Sequence, residues 1–266
     1  MKKSKKEKFG DILNKEMLKF KNQKELKKYY EEKYNRGGYE KGYTLHGVNI
    51  SNIYHKERQK SALKFLEPKK DEIILDAGCG DGKLTLKISK KCKKIYGADI
   101  TKNAFKKAKT KAPKNLLFKE MNIENLNFKN KNFDKIVCVE TLEHVLHPKK
   151  VMKEFYRVLK PKGSLVLTYP TVNTSTITKL EIKTKIGKYF PISEHLTEWD
   201  YKELINILKK NKFTLKKSEG IVLDLGKLTK LKLFSKKIMY IITNFQLSVR
   251  KFPRNSMFVS LLLEKT

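Results

Sequence analysis

The feature that most constrains the fold is an apolar run that ends in a carboxylate and continues into alternating glycines, ILDAGCGDGKLT, from Ile74 to Thr85. A buried strand that turns through glycines into a helix forms a ligand pocket, because glycine lets the backbone approach a ligand and the helix start offers unpaired N–H groups. Dinucleotide-binding folds use G-x-G-x-x-G to hold a pyrophosphate. Here Gly78, Gly80 and Gly82 have the spacing G-x-G-x-G, and Asp76 precedes them. A carboxylate at this point repels a pyrophosphate and favours a cationic ligand.

The string D-x-G-x-G-x-G resembles the first motif of the class I S-adenosylmethionine-dependent methyltransferases. The resemblance runs from about Glu67 to Val222 and returns at the C-terminus. It implies an α/β, Rossmann-like fold with a seven-stranded, mainly parallel sheet and an antiparallel last strand. It also implies S-adenosyl-L-methionine as cofactor, whose amino group and sulfonium are cationic and match the acidic strand end. The residues that the first motif assigns to the cofactor are Asp76, Gly78, Cys79, Gly80 and Gly82.

A second carboxylate closes the next predicted strand, KIYGADI, at Asp99. In a doubly wound sheet a carboxylate here can accept hydrogen bonds from both ribose hydroxyls, so Asp99 and Ile100 are expected to contact the cofactor. An Asp at a strand end also serves as a turn residue or helix N-cap. Asn122 and Ile123 resemble the family's short acidic motif, which faces the adenine amino group. The commoner residue there is Asp, and the amide oxygen of Asn122 can accept the same hydrogen bond.

The stretch from Asn132 to Pro170 resembles two further strands of this family with a helix between them. Apolar residues at steps of three and four predict a helix over Lys149 to Leu159 with one buried face. Pro161 and Gly163 are then expected to end the helix and start the next strand. The matches occur in the family's order along the chain, so they support one another.

The expected reaction chemistry lies in an E-x-x-E-H string formed by Glu140, Glu143 and His144. Methyl transfer is an in-line displacement, so the protein must align the acceptor and remove a proton if the acceptor is a hydroxyl. On a helical turn these three side chains would share one face. They could then bind a divalent cation, or His144 could act as a base.

The string ETLEHV resembles the quinone-ring O-methyltransferases of ubiquinone synthesis, a subgroup associated with magnesium. We predict catalytic roles for Glu143 and His144, place Glu140 beside the cofactor, and assign no metal. The alternative is that the glutamates only cap the turn while His144 packs at the sheet edge.

A third candidate catalytic residue, His195, lies near the end of a long polar segment from Thr171 to Trp199. His195 resembles the family position where a His or Arg enters the acceptor pocket, and a surface location is the alternative. Asp200 is predicted to be the N-cap of a helix that extends to Lys210.

The N-terminal residues 1–60 are predicted to form a helical cap before a methyltransferase domain at 61–266. Met1 to Lys28 has the pattern of a short amphipathic helix. Tyr29 to Arg58 is dense in Tyr, Gly and His, as a lid over an adenosyl or aromatic ligand requires. The alternative is a cap that merely packs on the sheet.

A basic amphipathic segment at about residues 224–254 separates a strand near Phe213 to Val222 from a last strand near Met257 to Leu263. A helix of this kind can lie in an anionic membrane interface. It can also pack on the domain and wall the acceptor pocket, which we favour because the segment is an insertion between paired strands.

The formal net charge of +33 would suit a nucleic-acid partner. However, only five of the 61 basic residues are arginine, whereas phosphate and base recognition favours the bidentate guanidinium. We therefore interpret the charge as composition and solvated surface. The three cysteines lack metal-type spacing, which suits a reducing cytosol. The sequence has no signal-type or membrane-spanning apolar run, so we expect a cytoplasmic location, with peripheral membrane contact as an open alternative.

These observations predict an enzyme that transfers a methyl group from S-adenosylmethionine to a small-molecule or lipid-linked acceptor, with a weak preference for oxygen. RNA methylation is the second candidate, although no N-P-P-Y-type tetrapeptide follows the predicted strand that ends at Glu140. A third is a catalytically silent, cofactor-binding partner subunit. The identity of the acceptor and the oligomeric state are not predicted.

Overall fold

A computed structural model describes residues 20–37, 44–45, 48–171, 195–223 and 253–266. The strands in these residues are β1 (Thr44–Leu45), β2 (Val48–Asn49), β3 (Ile73–Ala77), β4 (Lys94–Asp99), β5 (Leu116–Glu120), β6 (Phe133–Val139), β7 (Leu159–Pro170), β8 (Phe213–Leu223) and β9 (Ser256–Lys265). The α-helices are α1 (Gln23–Asn35), α2 (Ile50–Leu66), α3 (Lys83–Ser89), α4 (Lys106–Lys109), α5 (Pro148–Val158) and α6 (Tyr201–Lys210), and 3₁₀ turns cover Leu142–His144 and Pro253–Asn255.

Seven of these strands form one sheet in the order β5-β4-β3-β6-β7-β9-β8. β3 pairs in parallel with β4 and β6, and β6 pairs in parallel with β7. β9 lies antiparallel between β7 and β8. This confirms the predicted mainly parallel sheet with an antiparallel last strand. The strand order reverses between β3 and β6, and a ligand crevice opens at the carboxyl ends of strands on either side of such a reversal.

Two apolar layers cover the sheet because the side chains of each strand alternate between its faces. Ile74 and Val137 join the layer formed with α2 and α3, whereas their neighbours Leu75 and Ile136 join the layer formed with α5 and α6. All four side chains are fully buried. Each contributes about 1.5–3 kcal/mol to folding by leaving water. These layers hold the carboxyl ends of β3, β4 and β6 in fixed positions.

The end of α5 differs from its prediction by one residue. The helix ends at Val158, and Leu159 is already extended, with φ −71° and ψ 140°. Leu159 is fully buried and begins β7, because its side chain packs in the core from an extended backbone. Pro161 and Gly163 therefore lie within β7, at a register irregularity opposite the start of β6. They were expected to end the helix and start the strand, but the helix already ends at Val158 and the strand already begins at Leu159.

Capping side chains determine where α1 and α6 begin. Oδ1 of Asn22 accepts hydrogen bonds from the backbone N–H groups at the start of α1. Asp200 and Glu203 form a reciprocal capping box at the start of α6, which confirms the predicted N-cap.

Several predictions concern residues that lie wholly or partly outside the described ranges. The first is the amphipathic helix over residues 1–28, of which only residues 20–28 are described. The others are part of the proposed lid and the basic segment at 224–254. The predicted domain boundary between residues 60 and 61 falls within α2. None of the helices in the described ranges combines the length and apolar character needed to cross a bilayer.

Candidate active site

The glycine turn between β3 and α3 has the backbone that its sequence requires. Gly78, Gly80 and Gly82 have φ angles of +76°, +51° and +72°, in the left-handed region that favours glycine. A Cβ atom on Gly78 would lie 2.2 Å from Cγ2 of Thr141, so this glycine permits close packing. A Cβ on Gly80 would meet only the Tyr34 hydroxyl, at 3.2 Å. Gly80 is therefore where the turn faces open space beneath α1.

Two desolvated carboxylates form the floor of the crevice beside this turn. Asp76 is 2 % exposed and accepts a 2.6 Å hydrogen bond from the Thr85 hydroxyl. Oδ2 of Asp99 accepts from the N–H of Gly80 at 3.0 Å, and Oδ1 accepts from the N–H of Thr101. Burial raises the pKa of Asp76 to about 7 and that of Asp99 to about 6. Because burial disfavours their charged forms, both carboxylates gain from a cation bound nearby.

The other predicted cofactor contacts lie in adjoining loops. Cys79 is buried in a small apolar cluster with Ala104 and Phe105, whereas Ile100 is half-buried at the end of β4. Ile123 lies in the main core, 5 % exposed. Oδ1 of Asn122 accepts from the N–H of Glu124 at 2.9 Å, so the amide oxygen expected to face the cofactor stabilises its own turn.

Glu140 is separated from the other two residues of the E-x-x-E-H string. Its φ of +49° turns the backbone at the end of β6, and the 3₁₀ turn that carries Glu143 and His144 begins only at Leu142. Oε1 of Glu140 accepts from the Thr168 hydroxyl at 2.9 Å. The expectation that all three side chains share one helical face was therefore wrong.

Arg58 is the partner of Glu140, and no sequence pattern indicated this pair. Its Nη1 lies 3.3 Å from Oε2 of Glu140, and both side chains are about 15 % exposed. The guanidinium carbon lies 4.3 Å from the centre of the Phe258 ring. Its Nε is buried and has no hydrogen-bond partner among the described residues. Because α2 is far from β6 along the chain, the sequence does not show that these two residues meet. Its only hint of a special role for Arg58 is that arginine is rare in this lysine-rich chain.

Glu143, His144 and His195 form a polar cluster at the end of β6. Glu143 is 1 % exposed, and neither carboxylate oxygen has a hydrogen-bond partner within the described ranges. His144 places Nε2 3.8 Å from Oε1 of Glu143, and its ring centre is 5.2 Å from that of His195. Burial and the nearby Glu140 raise the pKa of Glu143 well above its usual range. His195 thus lies against His144 at the end of β6, and its side chain is 25 % exposed.

Backbone hydrogen bonds fix the position of His195 relative to Glu143. The carbonyl of Glu143 accepts from the N–H groups of Leu196, at 2.7 Å, and Thr197, at 3.2 Å. The Tyr169 hydroxyl donates to the carbonyl of Thr197 at 2.9 Å. The Tyr169 ring stacks on that of Trp199, with 5.5 Å between ring centres. An aromatic wall therefore stands next to the cluster.

The helix α1 contacts three segments at the carboxyl ends of the strands: the glycine turn, the turn that carries His144, and the end of β5. Tyr34 lies over Gly80, and the Tyr30 ring lies 6.1 Å from that of His144. Lys27 forms an ion pair with Glu120 at the end of β5. These contacts combine apolar rings and polar tips, and they fit a lid as well as a cap that only packs on the sheet.

The positions of these side chains bear on the magnesium site that the resemblance implies. Magnesium prefers oxygen ligands in near-octahedral geometry, and the implied set is Glu140, Glu143 and His144. The Glu140 carboxylate is engaged by Arg58 and Thr168 instead. The three residues do not fit a magnesium ion, and no step of the reaction proposed below uses one.

The fold and the site together define a class of protein. A glycine turn after the first parallel strand, a carboxylate at the end of the next strand, and a crevice at the switch point are the features of a class I methyltransferase domain. The match to the methyltransferase-domain family model covers residues 75–167, from β3 to β7.

Comparison with known proteins agrees with this class. The chain is 33 % identical over 215 residues to the ubiquinone biosynthesis O-methyltransferase of Pelagibacter ubique, covering 75 % of this chain and 88 % of that protein. It is 39 % identical over 120 residues to an uncharacterised protein of Methanocaldococcus jannaschii, covering 45 % of this chain and 49 % of that protein. It therefore spans about half the length of the archaeal relative.

Among solved structures, the magnesium protoporphyrin IX methyltransferase of Synechocystis PCC 6803, with bound S-adenosylhomocysteine, is similar in fold. The TM-score is 0.63 at 17 % identity, and the match covers 92 % of this chain and 100 % of that one. The chain belongs to the S-adenosylmethionine-dependent methyltransferases, and S-adenosylmethionine is the cofactor of that family.

Proposed function

We propose that this protein transfers a methyl group from S-adenosylmethionine to a hydroxyl oxygen of a small-molecule or lipid-linked acceptor. The observation that carries the proposal is the cluster of Glu143, His144 and His195 beside the glycine turn. Thr141 connects the two, because its side chain packs on Gly78 and it directly precedes the turn that carries Glu143 and His144. This connection supports a position for the cluster next to the bound cofactor.

The cofactor is held by charge and by backbone geometry. Asp99 is positioned to accept hydrogen bonds from the ribose hydroxyls, and Asp76 supplies negative potential for the cationic end of the cofactor. The cofactor's own carboxylate needs a cation, and we assign Arg58 to it because its buried Nε has a hydrogen bond to give. Tyr34 would close over the cofactor from α1. Residues 20–37 accordingly act as a lid on the domain.

The cluster removes the acceptor's proton. A hydroxyl is a weak nucleophile until it loses its proton, so an oxygen acceptor needs a base near the transferred methyl group. His144 supplies an imidazole beside the buried Glu143 carboxylate, with the ring of His195 against it. The stacked Tyr169 and Trp199 favour a flat or cyclic acceptor. The Pelagibacter relative, an O-methyltransferase of ubiquinone biosynthesis, supports the choice of oxygen.

The test is methyl labelling of a fractionated lysate with radiolabelled S-adenosylmethionine and the purified chain. Label that extracts into organic solvent is expected. The His144→Ala variant should lower the labelling rate about 10²–10⁴-fold by losing the base. The matched control is His147→Ala, because His147 is exposed and lies three residues further along the chain.

Other outcomes point to the alternative functions. Label that resists protease but is released by ribonuclease would replace this proposal with RNA methylation. Cofactor binding without label in any fraction would indicate a silent partner subunit.

A further inference from the structure

The cluster of Glu143, His144 and His195 has the arrangement of a metal-binding site. One ligand atom from each residue lies within 4.8 Å of the other two. A carboxylate that is buried without a hydrogen-bond partner is costly, since its lost hydration is not replaced. Both oxygens of Glu143 are in this position within the described ranges. A cation between the three side chains would supply the missing interaction.

The surrounding structure holds the three ligands in place. The two N–H groups that bind the Glu143 carbonyl fix the distance between the chain segments that carry the histidines. Oε1 of Glu198 lies 3.6 Å from Nδ1 of His195, and its Oε2 is buried with no hydrogen-bond partner in the described part of the chain. A carboxylate behind an imidazole orients the ring, so Nε2 of His195 is left to face a ligand.

We propose that Glu143, His144 and His195 bind one divalent ion of the borderline class represented by Zn²⁺. Two imidazoles and one carboxylate suit such an ion, whereas Mg²⁺ prefers oxygen ligands. In tetrahedral geometry, ligand bonds of about 2.0–2.2 Å place two donors on one ion about 3.5 Å apart. The donor atoms lie within 4.8 Å of one another, so each must move by less than about 1 Å. Within the described ranges, Glu143 breaks no side-chain hydrogen bond in doing so.

This site differs from the one implied by the resemblance both in its ligand residues and in the metal that it binds. His195 replaces Glu140, which is held by Arg58, and an ion with affinity for nitrogen replaces magnesium. Three protein ligands leave a fourth position open for water or an acceptor oxygen. The inference rests on the site of the proposed function and gives His144 a different role there. With the ion bound, His144 is a ligand and not the base, and an acceptor hydroxyl at the open position would be acidified by the ion and would lose its proton to solvent.

The experiment measures ion binding on the full chain, after treatment with a chelator and without cofactor or acceptor. Zn²⁺ is titrated in competition with a chromophoric chelator, and Co²⁺ is added separately to record its d–d absorption. We expect one Zn²⁺ per chain, bound at least 10³-fold more tightly than Mg²⁺. The Co²⁺ spectrum should lack a thiolate charge-transfer band, since all three cysteines are buried and outside the cluster.

Variants identify the ligands. His195→Ala should weaken Zn²⁺ binding at least 100-fold, and Glu198→Gln about 10–100-fold through the lost ring orientation. His147→Ala should leave the Zn²⁺ affinity unchanged, because His147 is exposed and outside the cluster. Glu140→Gln removes only a nearby charge, so it should change the affinity less than His195→Ala does. Glu198→Gln also provides a test if His195→Ala does not fold by circular dichroism.

Absence of Zn²⁺ binding, or Mg²⁺ binding of similar strength, would overturn the inference. So would an affinity that survives His195→Ala but is lost in Glu140→Gln. Because no methyl group is transferred in this assay, a failure of the proposed methylation leaves the binding result intact, and the reverse also holds.

Discussion

Replacing Asp76 by Asn should stabilise the ligand-free protein and weaken cofactor binding. Burial raises the pKa of Asp76 from 3.8 to about 7, a shift of about 3 units, which corresponds to about 4 kcal/mol at 1.36 kcal/mol per unit. A carboxyl with a raised pKa in the folded state favours folding below about pH 4, and this contribution is lost as the pH rises towards 7. At pH 8 the wild type therefore bears the full cost of ionising Asp76. Asparagine has no charge, and its Oδ1 still accepts from Thr85.

The assay is urea unfolding followed by circular dichroism between pH 4 and 8, together with calorimetric titration of S-adenosylmethionine. At pH 8 the free energy of unfolding should rise by as much as about 4 kcal/mol in Asp76→Asn, and this gain should shrink towards pH 4. Cofactor affinity at pH 8 should fall at least tenfold. Asp81→Asn is the control, because Asp81 lies in the same turn but is substantially exposed, so its effect should stay below about 1 kcal/mol. A variant that is less stable at pH 8, with an unchanged pH dependence, would refute the reasoning.

Three further predictions follow from the crevice. Gly82→Ala should lower the free energy of unfolding by more than about 2 kcal/mol, because its φ is +72° and the new Cβ would lie 2.6 Å from Cβ of Ala108. An unchanged midpoint of urea unfolding would contradict this. In Gly80→Ala the new Cβ meets only the Tyr34 hydroxyl, although the φ of +51° strains it. This variant should therefore fold with reduced stability and bind the cofactor at least tenfold more weakly by calorimetry; wild-type affinity would remove Gly80 from the pocket. Arg58→Met keeps an apolar stem but leaves Glu140 without its ion pair, so the free energy of unfolding should fall by about 1–3 kcal/mol. Cofactor affinity should fall too, and an affinity equal to that of the wild type would show that Arg58 does not hold the cofactor.

The fold was predictable because its signals are local. The apolar run before Asp76, the alternating glycines and the helix periodicity around Met152 are each contained within a short stretch of chain. Their order along the sequence then leaves few topologies to consider. The predicted end of α5 was one residue too late. A leucine fits the buried face of a helix and of a strand equally well, so periodicity alone could not assign Leu159 to α5 or to β7.

The site was predictable only in part, since its contacts join distant segments. His195 was expected in the pocket from its resemblance, but the sequence does not encode the hydrogen bonds that bring Leu196 and Thr197 to Glu143. The ion pair between Arg58 and Glu140 likewise depends on the packing of α2 against the end of β6. The positive φ of Glu140 was not foreseeable, because it occurs in a residue type that rarely adopts it.

The two hydrogen bonds to the Glu143 carbonyl have a consequence for protein engineering. They hold the turn at residues 142–144 and the segment at residues 195–197 in a fixed relative position. Transplanting the acceptor preference of a relative into this scaffold would therefore require exchanging both pieces together. If only one segment were exchanged, its new side chains would face a segment whose backbone is still spaced for the original residues.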